Sequence, residues 1–291
     1  SLVGSEMCIR DRNMKDFEVI VVDDCSTDQT FDIVGQKIEG FANYKFVQLD
    51  QNSGTPAKPR NLSIELSKGK YIIFIDGDDW LPEDALKKLY TLLKTNKTDY
   101  ATGLTKYVHS DRIARSGVAL SKLAYNKADL KYFRKSFYHL APAGRMIKAS
   151  VIKKNHIQFP EMIFGEDLQF FAEVFFNTKR ISTTQDVVYC ANRYDDNISL
   201  VKSESSTNIN RMKWQGEAYK HLMNKYKHNK LMPNLLYRII NKDILEAKFY
   251  KKRFINNINE LLPIFQNIIQ MIEENFNPLD YVDAVSYTHL R

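Results

Sequence analysis

The segment Tyr71-Ile-Ile-Phe-Ile75 runs straight into Asp76-Gly-Asp78-Asp79, and this junction constrains the fold more than any other stretch. Five apolar residues in a row read as a strand buried on both faces, as in a parallel sheet covered by helices. Such a strand needs partners, and the preceding sequence offers them. Phe17-Glu-Val-Ile-Val-Val-Asp-Asp24 is a β-branched run that also ends in carboxylates, and Tyr44-Lys-Phe-Val-Gln-Leu49 is a shorter one. Helical stretches separate them. Thr30 to about Glu39 follows the capping residues Ser26, Thr27 and Asp28, and Ala57 to Lys68 stops at Gly69. Beyond the junction, Pro82 suits a first helical turn, and Leu86, Leu89, Tyr90 and Leu93 recur at helical spacing. Alternating strands and helices specify an α/β class with a Rossmann-like, doubly wound sheet.

Further along, residues 106–140 carry no clear period. Arg145 to Lys148 and Val151 to Lys153 predict another turn of structure. Leu168, Phe171, Ala172 and Phe175 repeat a helical stripe, and Val187 to Cys190 reads as a late strand. Composition changes near Lys202. Residues 203–207, Ser-Glu-Ser-Ser-Thr, read as a linker, and no strand signal follows. Between Arg211 and Arg253 there are twelve Lys and Arg against Glu217, Asp243 and Glu246. The formal charge of +7 is therefore concentrated in a C-terminal helical appendage. With 44% hydrophobic and 26% charged residues, the chain is not a disordered one. Its three cysteines, Cys8, Cys25 and Cys190, match no metal or disulfide spacing. The longest apolar run without charge, Leu261 to Ile272, falls short of the roughly 20 residues that span a bilayer.

The polar residues gather at strand ends. Asp76 and Asp78 stand two apart, which on an extended backbone puts both on one side, at the carboxyl end of a strand where α/β folds bind ligands. Two converging carboxylates call for a cation, and a hard divalent ion such as Mg²⁺ or Mn²⁺ takes oxygen ligands. A solvated acidic turn is the alternative. Asp23 and Asp24 end the first strand at the same level. The loop Asn52-Ser-Gly-Thr-Pro-Ala-Lys58-Pro-Arg60-Asn61 places two cations before a helix, where a diphosphate could be held, or where they simply face solvent. Glu166 and Asp167 follow Gly165 at a helix start. Capping and the helix dipole favour acids there, and capping is the better reading of these residues alone. The same dipole would keep Asp167 ionised, as a general base must be. Arg193 follows the late strand, placed either to compensate phosphate or to face solvent.

Four motifs in this order, VVDDCSTDQT (21–30), NSGTPAKPRN (52–61), FIDGDD (74–79) and GED (165–167), resemble the family-2 glycosyltransferases of GT-A fold. The first two are especially similar to the bacterial enzymes that add N-acetylglucosamine to the poly(ribitol phosphate) of wall teichoic acid. The resemblance covers about residues 17–200. It implies that Asp24 contacts the uracil, that Asn52 and Arg60 line the nucleotide pocket, and that Asp76 and Asp78 hold Mn²⁺ or Mg²⁺ against the diphosphate. It makes Asp167 the catalytic base, which reverses the capping preference, and sets Arg193 near the leaving diphosphate. The implied reaction is metal-dependent and inverting. It moves N-acetylglucosamine or a related hexose from a UDP-sugar to an anionic cell-surface polymer, such as teichoic acid or polysaccharide, or to a glycolipid. The implied location is the cytoplasm, with peripheral contact at the inner face of the membrane.

The resemblance also divides the chain into a GT-A domain over 13–202 and a basic helical region over 203–284. Residues 1–12 and 285–291 resemble sequencing-adapter read-through and are set aside as non-native flanks. The family's first strand and base-stacking loop are not found before Phe17. The domain is thus expected to be truncated at its N-terminus, with the Glu18–Val22 and Tyr71–Ile75 strands either closing on each other or leaving a gap. An inactive fragment that binds a nucleotide-sugar or polymer is the alternative reading. Nucleic-acid binding through 211–253 finds no zinc-finger, RNP or helix-turn-helix pattern to support it, and nothing in the sequence sets an oligomeric state.

Overall fold

In the computed structural model, residues 17–116, 123–194, 208–249 and 256–283 are described. The flanks expected at 1–12 and 285–291 and the linker at 203–207 lie outside the described residues. The first β-branched run forms β1, Val19–Asp23, and α1, Thr30–Ile38, follows it. Asp28 accepts from the Thr30 amide at 2.9 Å at the entry to α1. β2, Tyr44–Gln48, lies parallel to β1 over its full length, and α2 spans Ala57–Leu66. These elements match the sequence expectation to within a residue or two.

The third strand does not. β3 is only Tyr71–Ile73, and it pairs antiparallel with β7, Arg145–Lys148. Phe74 turns into the core, and Ile75 is 38% exposed, so the apolar run is not one doubly covered strand. Asp76 to Asp79 form a tight turn closed by the Asp79 amide on the Asp76 carbonyl at 3.0 Å. The extended geometry that was to align Asp76 with Asp78 is therefore absent.

The larger sheet is built on strands that periodicity does not reveal. After α3, Ala85–Asn96, β4 runs over Tyr100–Val108 and pairs with β5, Ile113–Ser116, with β7, and with β8, Ile181–Asn192. β6, Tyr125–Ala128, closes the far edge against β8. The strand order is β3-β7-β4-β8-β6, with β5 on β4. Only the apolar third of β8 is visible in sequence, because Ser182 and Thr183 are buried by hydrogen bonding. Their hydroxyls donate to the carbonyls of Asn126 and Leu123, each at 2.6 Å. The β4–β8 ladder slips its register beside Gly103. A Cβ there would lie 2.8 Å from the Asp186 carbonyl oxygen, so only glycine lets the strands approach this closely.

Among the described residues, β1 and β2 form a two-stranded sheet that shares no ladder with the larger one. The division falls between β1 and β3. Glu18 spans it: its carboxylate accepts from the amides of Lys68 and Gly69, both at 2.6 Å.

Helices complete the fold. α4 covers Ala149–Lys154 and α5 covers Glu166–Phe176. Beyond them come α6, Asn208–Tyr226, α7, Met232–Tyr237, a π-helical segment at Arg238–Phe249, and α8, Ile258–Glu273. The major core joins Phe74, Phe159, Phe170, Phe171 and Phe175 to Met212, Tyr219 and Leu222 of α6 and Leu235 of α7. Each such buried side chain contributes about 1.5–3 kcal/mol, so the sheet and the helical region are stabilised together. α5 is apolar on nearly all sides because it lies inside this core. A second cluster, including Leu89, Leu93, Met146 and Val188, fills the opposite face of the sheet under α3. No helix of the described residues is long and apolar enough to cross a membrane.

Candidate active site

Arg60 sits in the first turn of α2, with its guanidinium over the Phe159 ring at 5.2 Å. Its two terminal nitrogens part. Nη2 donates to Asp76 Oδ1 at 2.9 Å, and Nη1 donates to Asp167 Oδ1 at 2.8 Å, with Glu166 Oε1 at 3.7 Å. Arg60 and Asp167 are 107 residues apart in sequence, yet one planar fork joins the turn after β3 to the start of α5. Burial works against the Arg60 charge, but Asp167 and Asp76 outweigh it and hold its pKa above the ordinary value.

Asp167 does not cap its helix. The N-cap is Gly165 at φ 94°, with no side-chain cap bond. Glycine is needed there for the left-handed turn that drops Glu166 and Asp167 into the first turn of α5. Burial lifts the pKa of both acids above the ordinary carboxylate range. Asp76 pushes Asp167 the same way, whereas Arg60 and Arg145 pull it back. The dipole argument expected the opposite sign; desolvation is the larger effect here.

Asp24 and Asn52 form a second group. The Asn52 amide donates to the Asp24 carbonyl at 2.8 Å, Asp24 Oδ1 accepts from the Ser53 amide at 2.9 Å, and Asn52 Oδ1 accepts from the Gly54 amide at 2.8 Å. The loop is thereby fixed to the end of β1. Asp23 turns away. It accepts from Ser26 N and Oγ and from Gln48 Nε2, and these bonds outweigh burial and lower its pKa. It therefore holds the loop together and adds no open carboxylate to the rim.

Asp79 is likewise internal. Tyr189 donates its hydroxyl to Asp79 Oδ2 at 2.8 Å, and the Asn192 amide donates to Oδ1 at 2.8 Å. Burial pushes Asp79 up to about 6. The Tyr189 oxygen also accepts from the Asp76 amide at 3.2 Å, so β8 pins the acidic turn at two points. Arg193 stands one residue past Asn192, with its guanidinium over the Tyr107 ring at 5.3 Å. It is at the rim of the site, outside the Arg60 cluster.

For a divalent cation the donors are Asp76, whose side chain is 42% exposed, and Asp78 in the same turn. Mg²⁺ or Mn²⁺ needs only one or two such carboxylates when substrate phosphate and water complete its sphere; Asp76 Oδ1 is held by Arg60 at 2.9 Å, so the candidate donors are Asp76 Oδ2 and the Asp78 carboxylate. Among the described residues, no group of three or more His, Cys, Asp or Glu side chains gathers to hold a metal by itself.

Two contributors have no sequence signal. Tyr189 reads as a core residue of a strand. Arg145, at 2% exposure, lies under α5 with its guanidinium over the Phe171 ring at 5.1 Å, one helical turn beyond Asp167. Its Nη2 donates to the His139 carbonyl, while Nε and Nη1 have no hydrogen-bond partner. It sets a buried positive charge behind Asp167.

Comparison with known proteins adds the following. The model of the family described as "Glycosyl transferase family 2" matches residues 8–155. The poly(ribitol-phosphate) beta-glucosyltransferase of Bacillus spizizenii is 33% identical over 176 residues, covering 60% of this chain and 27% of that protein. The poly(ribitol-phosphate) beta-N-acetylglucosaminyltransferase TarS of Staphylococcus aureus is 32% identical over 175 residues, covering 60% and 30%. TarP of the same species, with the same activity in its name, is 32% identical over 210 residues, covering 70% and 59%. The chain thus spans less than a third of the length of the first two. Among solved structures, S. aureus TarS 1-349 in complex with UDP-GlcNAc superposes with a TM-score of 0.74 at 24% identity, covering 94% of this chain and 80% of that one. That likeness fixes the fold as the GT-A fold of TarS.

Proposed function

Because the chain belongs to glycosyl transferase family 2, we propose that it transfers a sugar from a UDP-sugar to a hydroxyl of a teichoic-acid-type polymer of polyol phosphates. The observation that carries this reading is the Arg60 bridge between Asp76 and Asp167. It brings a carboxylate suited to the donor side and one suited to the acceptor side within the width of a guanidinium. The names of the relatives and the UDP-GlcNAc complex of TarS support the substrate classes.

In this reading Asp167 takes the proton of the acceptor hydroxyl as that oxygen attacks the anomeric carbon. The new C–O bond forms while the bond from that carbon to the diphosphate oxygen breaks, UDP departs, and the configuration inverts. A pKa lifted by burial makes Asp167 a better proton acceptor near neutrality, and the Arg60 and Arg145 charges keep it ionised. Asp24 and Asn52 receive the uracil. Arg60 and Arg193 face the charge that grows on the departing diphosphate. Asp76 and Asp78 would hold Mg²⁺ or Mn²⁺, which when bound supplies positive charge to the diphosphate. N-acetylglucosamine or a related hexose is the proposed sugar. The proposed location is the cytoplasmic face of the membrane, where Lys213, Lys220 and Lys227, exposed on and just beyond α6, would meet an anionic surface.

The test is incubation of the chain with UDP-glucose, UDP-N-acetylglucosamine or UDP-N-acetylgalactosamine and poly(ribitol phosphate) or poly(glycerol phosphate), with the product anomer read by NMR. A β-linked product from an α-linked donor is expected. An α-linked product would refute inversion, and UDP binding without transfer to any acceptor would favour the inactive binding fragment.

A further inference from the structure

Two demands meet on Arg60. Its Nη1 donates to Asp167 Oδ1 at 2.8 Å and its Nη2 to Asp76 Oδ1 at 2.9 Å. In the proposed reaction its charge belongs on the diphosphate, and Asp167 must be open to a hydroxyl. A carboxylate that accepts a charge-assisted bond from a guanidinium is a weaker proton acceptor, so Asp167 is least able to act while Arg60 holds it. A diphosphate beside Asp76 and Asp78 supplies a competing partner, because phosphate oxygens match the planar fork as carboxylates do. Of the two acids bonded to the fork, Asp76 is the more open, its side chain 42% exposed against 28% for Asp167. A ligand therefore approaches from the Asp76 side, and the bond on the far side, to Asp167, is the one that gives way. The Phe159 ring, 5.2 Å from the guanidinium carbon, offers a flat face on which the fork can turn.

Arg145 is the opposite case. It begins β7, is 2% exposed, and lies with its guanidinium over the Phe171 ring at 5.1 Å. Its Nη2 donates to the His139 carbonyl at 2.5 Å, and its Nε and Nη1 have no hydrogen-bond partner. Among the described residues no carboxylate is bonded to it, and the one that acts on it most is Asp167. A buried cation without a bonded carboxylate costs stability, and an apolar side chain of similar volume often serves the fold as well or better. Enclosed under α5, this charge cannot follow a ligand. The site thus has one cation that can change partners and one that is fixed.

We propose that donor binding draws the Arg60 guanidinium from Asp167 onto the diphosphate, which frees the base for the acceptor hydroxyl, and that Arg145 is the positioning residue that then remains as the countercharge of Asp167. This rests on the transferase reading above. The test uses the intact chain, with calorimetry of a ribitol phosphate octamer in the absence and presence of saturating UDP and Mg²⁺. UDP should tighten octamer binding about tenfold, and the octamer should tighten UDP by the same factor, as linkage requires. In Arg60→Met the octamer should bind equally with and without UDP. In Arg145→Met that coupling should persist. Its kcat should fall about tenfold with both KM values unchanged, and its urea midpoint should not fall, because a buried unpaired charge has been removed. An arginine with a structural role alone would give the reverse, a lower midpoint with kcat per folded molecule unchanged. Coupling that survives Arg60→Met, octamer binding that is absent or ignores UDP in the parent, or that reverse pattern in Arg145→Met would overturn the assignment. If UDP and the octamer show the expected coupling but no sugar is ever transferred, the exchange at Arg60 stands and the transferase reading falls. If sugar is transferred and the two ligands bind without coupling, the transferase reading stands and the exchange falls.

Discussion

Replacing Arg60 by methionine removes one buried cation from among three carboxylates, and the cost should depend on pH in a defined direction. Arg60 donates two charge-assisted bonds, at 2.8 Å to Asp167 and 2.9 Å to Asp76, whose side chains are 28% and 42% exposed. A hydrogen bond to a charged group contributes about 1.5–3 kcal/mol. Water replaces most of the bond to the more open Asp76, so the loss falls mainly on Asp167. A destabilisation of about 2–3 kcal/mol at pH 8 follows. Glu166 and Asp167 already have raised pKa values in the folded chain, so the folded state binds protons more tightly than the unfolded one. Their contribution to stability is therefore greatest below about pH 4, the unfolded value, and is lost as pH rises toward neutrality. Without Arg60 both values rise further and the loss steepens. At pH 5 the acids take up protons, and the variant should be only about 1 kcal/mol less stable than the parent. Urea unfolding of both proteins at pH 5 and pH 8 measures this. A difference that is equal at the two pH values, or larger at pH 5, would refute the argument that Arg60 acts by holding these charges.

Other perturbations separate the roles within the site. Asp167→Asn should lower transfer by about 10²–10⁴-fold with UDP-sugar affinity retained, as measured by calorimetry, because the amide accepts no proton and the helix is capped by Gly165 instead. Asp78→Ala, or EDTA treatment of the parent, should abolish turnover, and added Mn²⁺ or Mg²⁺ should rescue only the treated parent. Full activity in EDTA would remove the metal from the mechanism. Tyr189→Phe deletes the hydroxyl between buried Asp79 and the Asp76 amide, and should cost about 1–3 kcal/mol in chemical denaturation; an unchanged midpoint would show that this bond carries no stability.

Short-range chemistry was readable in the sequence, and long-range geometry was not. The α/β class followed from β1, α1, β2 and α2, whose apolar runs and breaks are local. Tyr71 to Ile75 misled because continuous hydrophobicity reports burial, and Phe74 is buried in the core beyond the end of its ladder. β4 was invisible because Tyr100-Ala-Thr-Gly-Leu-Thr alternates poorly and its buried threonines are satisfied by hydrogen bonds, as Thr102 is by the Gly144 carbonyl at 3.0 Å. At the site, Arg60, Asp76 and Asp167 were each noticed in a loop, at a strand end or at a helix start, but the residues alone favoured a helix cap for Asp167, and only the resemblance joined the three into one site. Their mutual contact depends on a fold that no spacing encodes. Arg145 carries no signal at all, since an arginine beginning a short strand is commonplace until α5 covers it.

The division between β1 and β3 has a consequence for how the molecule opens. A continuous ladder makes neighbouring strands exchange their amide hydrogens together, whereas β1 and β2 are joined to the rest by Glu18 on Lys68 and Gly69 and by the packing of α2. Sub-global opening of such a unit takes less free energy than global unfolding. The amides of Val19 to Gln48 should then exchange through a lower-energy opening than those of β4 and β8. Asp24 sits at the end of that looser unit, while Asp76 and Asp167 belong to the tighter one. A ligand that touches both would slow exchange in β1 and β2, making the Asp24 end of the site the part that closes last and reopens first.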